Sequence, residues 1–514
     1  MKERSRTEFT MMNTMVGIGG YVLTTLLGFI SRMVFVRCLS ADYLGVNGLF
    51  SNILGILSLA ELGVGNAIVF ALYKPLAEHD EDKIASLVKL YATAYRIIGT
   101  VVAVIGLAML PFLNIIITEQ PAIHENITFL YLLNLFNAAS TYFFSYRSSL
   151  VIASQRNYIV SLCSYGITFL QTIVQIVLLV TTRSYIAFLL TQAVGTFLFN
   201  LVVYLLAGRM FPYIRNKQVS PLPQEERTTI FHNIRDLLIY KISGLLVNNT
   251  DNILITFFSG LATTGIASNY TLLVNTLNSL MNLLFNGLTA SVGNHNALES
   301  DEKKYEMFRF LNMMNFWIFG WGALGIIFCS GDIVMLFFGK AYVMSTAIPL
   351  IMAVNFFSVG MMNAVWTYKH TMGLFHYGRF IQFATGILNI VFSVVLGQMW
   401  GIFGILTATF IARLCTSLWY DPYAIFKYGF HMPLSHYIKH IMYDMMVFVL
   451  AGAGCYFVSA IIRGPIFVQL LLKIAFCSII CNVVFILAFS RTPEFQTFKD
   501  ILSRIKNIAL KKSC

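Results

Sequence analysis

Apolar runs of roughly 20–30 residues recur along the chain from Met12 to Ser490, each long enough to cross a ~30 Å hydrocarbon core as a helix. Nothing else in the sequence limits the fold so strongly. A lipid-spanning segment must satisfy its backbone hydrogen bonds internally, so only helices and closed barrels are admissible. The runs are continuous rather than alternating in polarity, which selects helices. About fourteen can be marked out, over 12–38, 44–73, 87–117, 126–153, 157–181, 185–210, 236–258, 262–292, 306–338, 344–368, 378–400, 402–426, 441–462 and 465–490. With 57% hydrophobic and 11% charged residues and a mean hydropathy of +0.73, the chain has too little polar material to cover a water-facing surface. The expected fold is an all-α polytopic membrane protein. The opening, MKERSRTEF, is basic, but the apolar run behind it is too long for the core of a cleavable signal peptide.

The net charge of +12 is explained by placement rather than by nucleic acid. With both termini cytoplasmic, Arg37, Arg183, Lys340 and Arg463 fall at the outer face, and Arg32, Arg96, Lys241, Arg413 and Lys473 fall within spans. The remainder of the 35 Lys and Arg residues lie on cytoplasmic segments. That bias is the positive-inside pattern, and the expected partner of the basic excess is anionic membrane lipid. The eight cysteines lie mostly inside apolar runs, without a CxxC pair or a disulfide framework, and read as small core hydrophobes. The segment EFQTFKDILSRIKNIALKK (494–512) spaces Phe495, Phe498, Ile501, Leu502, Ile505 and Ile508 at helical intervals among lysines. This is the pattern of a helix lying in the membrane plane.

A hydrophilic, proline-bearing stretch, RMFPYIRNKQVSPLPQEERTTIFHNIR (209–235), follows the sixth run. Sliding the chain on itself by about 220 residues places Gly45 over Gly265 and Gly166 over Gly386, as an internal duplication would. The organisation expected is a six-helix half over 1–208, a cytoplasmic linker over 209–235 and a second six-helix half over 236–430. Two additional transmembrane helices over 431–490 and a basic amphipathic tail over 491–514 complete it. Six crossings per repeat give parallel halves related by a pseudo-twofold axis along the membrane normal, an alternating-access plan.

Polar residues within the runs fall on helical faces. Tyr21, Thr25, Gly28 and Arg32 share one face of the first span. The fourth carries Asn134, Asn137, Thr141, Ser145 and Ser148, and the fifth carries Ser161, Tyr165, Thr168, Gln171 and Gln175. The eighth carries Asn275, Asn278, Asn282 and Asn286, and the seventh is interrupted by NNTDN (248–252), which contains Asn248. One such stripe fits helix–helix hydrogen bonding worth ~0.6–2 kcal/mol per contact. Stripes in both halves fit a shared hydrated cavity, whose amides and hydroxyls match sugar hydroxyls.

A charge at mid-bilayer costs at least ~2.5–3.5 kcal/mol, so Arg32 needs a reason. Arg37 can snorkel to the outer surface, whereas Arg32 is some ~7.5 Å deeper. Three readings remain: a cavity arginine, an ion pair with Glu61, or strained snorkelling. Its place on the polar face selects the first. Arg96, Arg147, Lys241 and Arg413 are further candidates. Arg32, Arg96, Lys241 and Arg413 outnumber the deep acids Glu61 and Asp251, which suits an anionic substrate, and the guanidinium fork suits phosphate. Asp251 reads either as a helix–helix hydrogen-bonding group or as a sodium or proton site, with Asn389 and Thr407 as companion oxygen ligands.

The segment SADYLGVNGLFSNILGILSLAELGVGNAIVFALYKPLAE (40–78), with Leu44-Gly45, Gly48-Leu49-Phe50 and Glu61-Leu62-Gly63, resembles the Wzx-type polysaccharide-export flippases when joined to the arrangement of spans. These belong to a superfamily that includes lipid II flippases and MATE drug exporters. The resemblance implies translocation of undecaprenyl-pyrophosphate-linked oligosaccharide units, of O-antigen, capsule or teichoic-acid type, across a bacterial plasma membrane. It also implies a cationic central cavity, to which Arg32 conforms, and a cation site like that read at Asp251. Other polysaccharide-assembly membrane proteins are expected partners, and the chain is expected to be a monomer.

Two alternatives stay open. A MATE-like drug or metabolite exporter would share the topology. A multispanning polymerase would need a sizeable external catalytic loop, whereas TEQPAIHEN (118–126) and TTRS (181–184) are short and carry no paired carboxylates. His436 and His440 in HYIKH lack the glutamate of HExxH, and GQMWGIFG (397–404) has no strand–helix context. No enzyme activity and no cofactor are expected. No GxxxxGK[ST] motif appears, so coupling would come from Na+, H+, the membrane potential or substrate supply.

Overall fold

The computed structural model describes residues 6–57, 71–76, 78–117, 122–215, 222–224, 228, 250–282, 301–372, 374, 377–378 and 380–499. Its regular elements are helices: α1 (Arg6–Cys38), α2 (Ala41–Leu57), α3 (Glu81–Ala108), α4 (Leu110–Ile116), α5 (Ile127–Ala153), α6 (Asn157–Thr182) and α7 (Tyr185–Met210). There follow α8 (250–282), α9 (Asp301–Phe338), α10 (Ala347–Thr371), α11 (Ile381–Cys415), α12 (Ser417–Ala424), α13 (Ser435–Ile461) and α14 (Ile466–Phe489). Ten described segments are long and apolar enough to cross a membrane. The all-helical membrane fold is as expected.

Local chemistry sets the ends. Asp80 caps α3 by accepting from the Lys83 amide at 3.0 Å, with Glu81 and Asp82 in the first turn, where the helix dipole favours acids. Asn126 caps α5 through the Phe129 amide at 3.2 Å. Pro111 sits in the first turn of α4 and divides it from α3, so one apolar run yields two helices.

Two of these helical segments, α8 and α11, reverse direction at an internal glycine. In α8 the turn is at Gly260 (φ 82°), where the hydroxyls of Thr256 and Thr264 approach to 2.9 Å. Eight residues along a straight helix would hold them ~12 Å apart. In α11 the turn is at Gly401 (φ 55°, ψ −135°), and Asn389 Nδ2 donates to Thr409 Oγ1 at 2.9 Å across it. Both reversals fall where the sequence separated its spans, after 258 and after 400. Glycine is required because its backbone there lies outside the region open to other residues.

The chain divides into two compact units, Met1–Gly265 and Ile266–Cys514. In the first, Gly20 of α1 seats the Tyr165 ring of α6, and Gly106 of α3 seats Leu135 of α5. A Cβ on Gly45 would strike the Leu261 carbonyl, and one on Gly265 would strike the Ala41 carbonyl. The two glycines that the internal repeat superposes therefore pack against one another.

In the second unit, α9, α10, α13 and α14 share an aromatic core that includes Phe316, Phe319, Phe356 and Phe485. The seven described cysteines are thiols, four of them buried. The start of the tail departs from expectation. Residues 493–499 are helical, Phe495 stacks on Trp317 at 6.1 Å and Glu494 pairs with Arg309. Protein rather than the membrane plane takes these apolar groups, because Trp317 offers an aromatic face; Ile501 and beyond lie outside the described residues.

Candidate functional site

Three sides of α1 do different things. One side packs: Asn13 bonds the Gln155 carbonyl and the Tyr158 amide, and Phe35 lies edge-on to Tyr185 and Phe188. Another is exposed and apolar, with Val22, Leu23, Leu26 and Ile30. Between them runs the polar face, with Tyr21, Thr25 and Arg32 half-buried and Gly28 exposed. The Arg32 charge acts on the hydroxyl of Tyr185, at the start of α7. That hydroxyl donates to Asn47 Oδ1 at 3.4 Å, and its ring meets Tyr43, whose own hydroxyl donates to Glu125. Arg32 thus stands beside an aromatic–carboxylate cluster built from α2, α7 and the 122–126 segment. Glu61 lies outside the described residues. Glu125, in the short external connection 118–126 and singled out by no sequence motif, supplies the carboxylate of this cluster.

The polar stripes separate into two kinds. That of α6 is packing material: Tyr165 covers Gly20 and donates to the Gly17 carbonyl at 3.3 Å, Gln171 covers Gly195, and Gln175 donates to the Phe188 carbonyl at 3.2 Å. That of α5 bonds along its own helix, Asn134 to the Leu130 carbonyl, Thr141 to Asn137 and Ser148 to Ser145. It is half-buried and lies opposite exposed Leu132, Phe136 and Phe143. On it, Asn137 Oδ1 and Ser145 Oγ are buried without a hydrogen-bond partner among the described residues. In α8, Asn278 is half-buried, and Asn275 and Asn282 are exposed. Asn286, Lys241 and Asn248 lie outside the described residues.

The remaining cations are differently placed. Arg147 stacks on Tyr204 at 3.6 Å and donates to its carbonyl at 3.3 Å, pinning α5 to α7. Arg96 is exposed beside Thr93, Ile97 and Thr100. Arg413 donates to Asn355 Oδ1 at 3.3 Å. Lys473 meets Asp332 at 2.6 Å, and Lys369 meets Asp421 at 2.6 Å, where Trp366 adds a hydrogen bond. The count of deep acids as Glu61 and Asp251 alone is therefore corrected: Asp332, Asp421 and Asp444 are also in helical segments of membrane-spanning character. Their partners lie on other helices, so average hydropathy does not reveal them.

Asp251 stands half-buried in α8. Asn389 engages Thr409, and Thr407 bonds the Phe403 carbonyl at 2.7 Å in its own helix.

No family model and no curated protein matches the sequence. Solved structures do match its fold. The lipid II flippase MurJ in an inward closed conformation superposes with a TM-score of 0.63 at 14% identity, over 94% of this chain and 100% of that one. An inward-facing multidrug resistance MATE family transporter of the MOP superfamily gives 0.54 at 14% identity, over 80% and 98%. A mutant of the Vibrio cholerae MATE transporter VcmN gives 0.54 at 14% identity, over 83% and 98%. The likeness is one of fold, to membrane flippases and exporters of that superfamily.

Proposed function

We propose that the chain is a flippase of polyprenyl-pyrophosphate-linked oligosaccharide units, acting in a bacterial plasma membrane with both termini cytoplasmic. The observation that carries this reading is Arg32, a guanidinium on a half-buried polar face of a spanning helix that also carries Tyr21 and Thr25. Its planar fork suits a pyrophosphate bidentately and keeps its proton at any physiological pH. The α5 face adds amide and hydroxyl groups that can exchange hydrogen bonds with sugar hydroxyls, including two buried acceptors with capacity to spare. The exposed apolar side of α1 leaves a polyprenyl chain in lipid while the head group follows the polar face. Alternating access would move that head group across.

The test is reconstitution of the wild type, Arg32→Lys and Arg32→Ala in liposomes bearing a fluorescent polyprenyl-pyrophosphate glycan. Arg32→Lys keeps the charge and loses the fork, so it retains part of the flipping rate; Arg32→Ala retains little. Wild-type rates from Arg32→Ala at equal protein density would sink the proposal. The MATE likeness and the added deep acids favour one second reading, export of cationic compounds. Cationic dye efflux in the same liposomes, without glycan flipping, would select it.

A further inference from the structure

A cavity of about 220 Å³ opens in the second unit between α9, α13 and the 492–494 segment. Its polar lining is Arg309, Asn312, His440, Asp444, Thr492 and Glu494, against aromatic walls. Arg309 is held by Glu494, so those two charges cancel. Asp444 is different: it is 4% exposed, and its one hydrogen bond among the described residues comes from Asn312 Nδ2 at 3.4 Å. Asn312 is 6% exposed, and its Oδ1 is buried without a hydrogen-bond partner among the described residues. A buried carboxylate with one long hydrogen bond lines this space, and the amide that bonds it carries a buried oxygen with no hydrogen-bond partner among the described residues.

We propose that Asn312 and Asp444 form a binding site for a monovalent alkali cation. The separation supports this on geometry. At 3.4 Å the Asn312–Asp444 contact is longer than the ~2.7–3.2 Å of an ordinary hydrogen bond. Turning the amide exchanges Nδ2 for Oδ1 and sets two oxygens that distance apart. This is the edge of an octahedron whose oxygens lie about 2.4 Å from its centre, within the ~2.3–2.6 Å range of hard-cation coordination.

The charge supports it as well. With Arg309 and Glu494 neutral as a pair, ionised Asp444 leaves one negative charge, which a monovalent ion balances and a divalent ion overshoots. At ~30 Å³ per water, the cavity has room for the ion and several waters to complete its shell. An organic ammonium is less well served, because the Arg309 guanidinium already lies 5.9 Å over the Tyr305 ring. The bound ion would tie α9 to α13, and so one of the two added C-terminal spans to the body of the second unit. This site is independent of the glycan reading and of Asp251.

The experiment is thermal unfolding of the purified full-length protein at fixed ionic strength and pH, in sodium, potassium or choline chloride. The alkali salts are expected to raise the midpoint by about 2 °C or more over choline, with the sodium and potassium arms identifying the ion. The rise should be lost in Asp444→Asn, weakened in Asn312→Leu and retained in Asp251→Asn. Should Asp444→Asn fail to fold, retention of radioactive sodium or rubidium by the wild type and Asn312→Leu decides the matter, with reduced retention expected in the variant. A wild type indifferent to alkali ions, or one that responds to pH alone, overturns the site. So does a full response in Asp444→Asn, or undiminished retention in Asn312→Leu.

Discussion

Single side chains decide how charge is tolerated in the spans. Asp421 is buried, and Lys369 and Trp366 both direct their hydrogens at its carboxylate. Removing one partner strands the other charge in a low-dielectric interior, which typically costs ~3–5 kcal/mol, while replacing both with apolar groups is often neutral or better. Asp421→Asn is therefore expected to lower the unfolding midpoint and the membrane yield sharply. The double variant Lys369→Met with Asp421→Leu should recover most of both. A single variant as stable as the wild type would mean that the pair contributes nothing. Arg32, by contrast, could be picked out from sequence because its neighbours on the same helix face are polar. Glu125 could not, since its contact with Tyr43 joins residues 82 positions apart.

At the scale of the element, the helix ends in the sequence reading lie close to those of the structure. Spans at 157–181 and 185–210 meet α6 at Asn157–Thr182 and α7 at Tyr185–Met210. Length, apolarity and breakers act locally, so they can be read locally. Helix pairing is not local. The α5 and α6 stripes look alike as residue lists, yet α6 packs on α1 and α7 while α5 bonds along itself. The internal repeat shows the same limit: Gly45 is in tight contact, whereas a Cβ on Gly166 would meet nothing within 4 Å. Glycine tolerance should follow this division. Gly404→Ala drives a methyl into the Leu396 carbonyl across the Gly401 turn, and Gly401→Ala strains a backbone that costs other residues ~1–3 kcal/mol. Both should reduce folded yield and thermal stability, while Gly166→Ala and Gly28→Ala should match the wild type. If all four behave alike, the hairpin turn is not the constraint.

For the whole molecule, the proposed flipping needs a direction. The sequence holds no nucleotide-binding loop of the GxxxxGK[ST] type, and the bias expected for such flipping comes from a Na+ or H+ gradient, the membrane potential or substrate supply. We propose Asp251 as a group that responds to such a gradient: it lies half-buried in α8, beside Thr250 and Asn252 and nine residues before the Gly260 reversal. A cation there would stabilise whichever state gathers oxygen ligands around the carboxylate, and an ion-dependent affinity difference between states is what shifts their populations. Flipping in proteoliposomes should accelerate under an imposed sodium or proton gradient, and Asp251→Asn should flip at a rate indifferent to both. If Asp251→Asn keeps the full gradient response, the aspartate is a structural group and coupling resides in other residues.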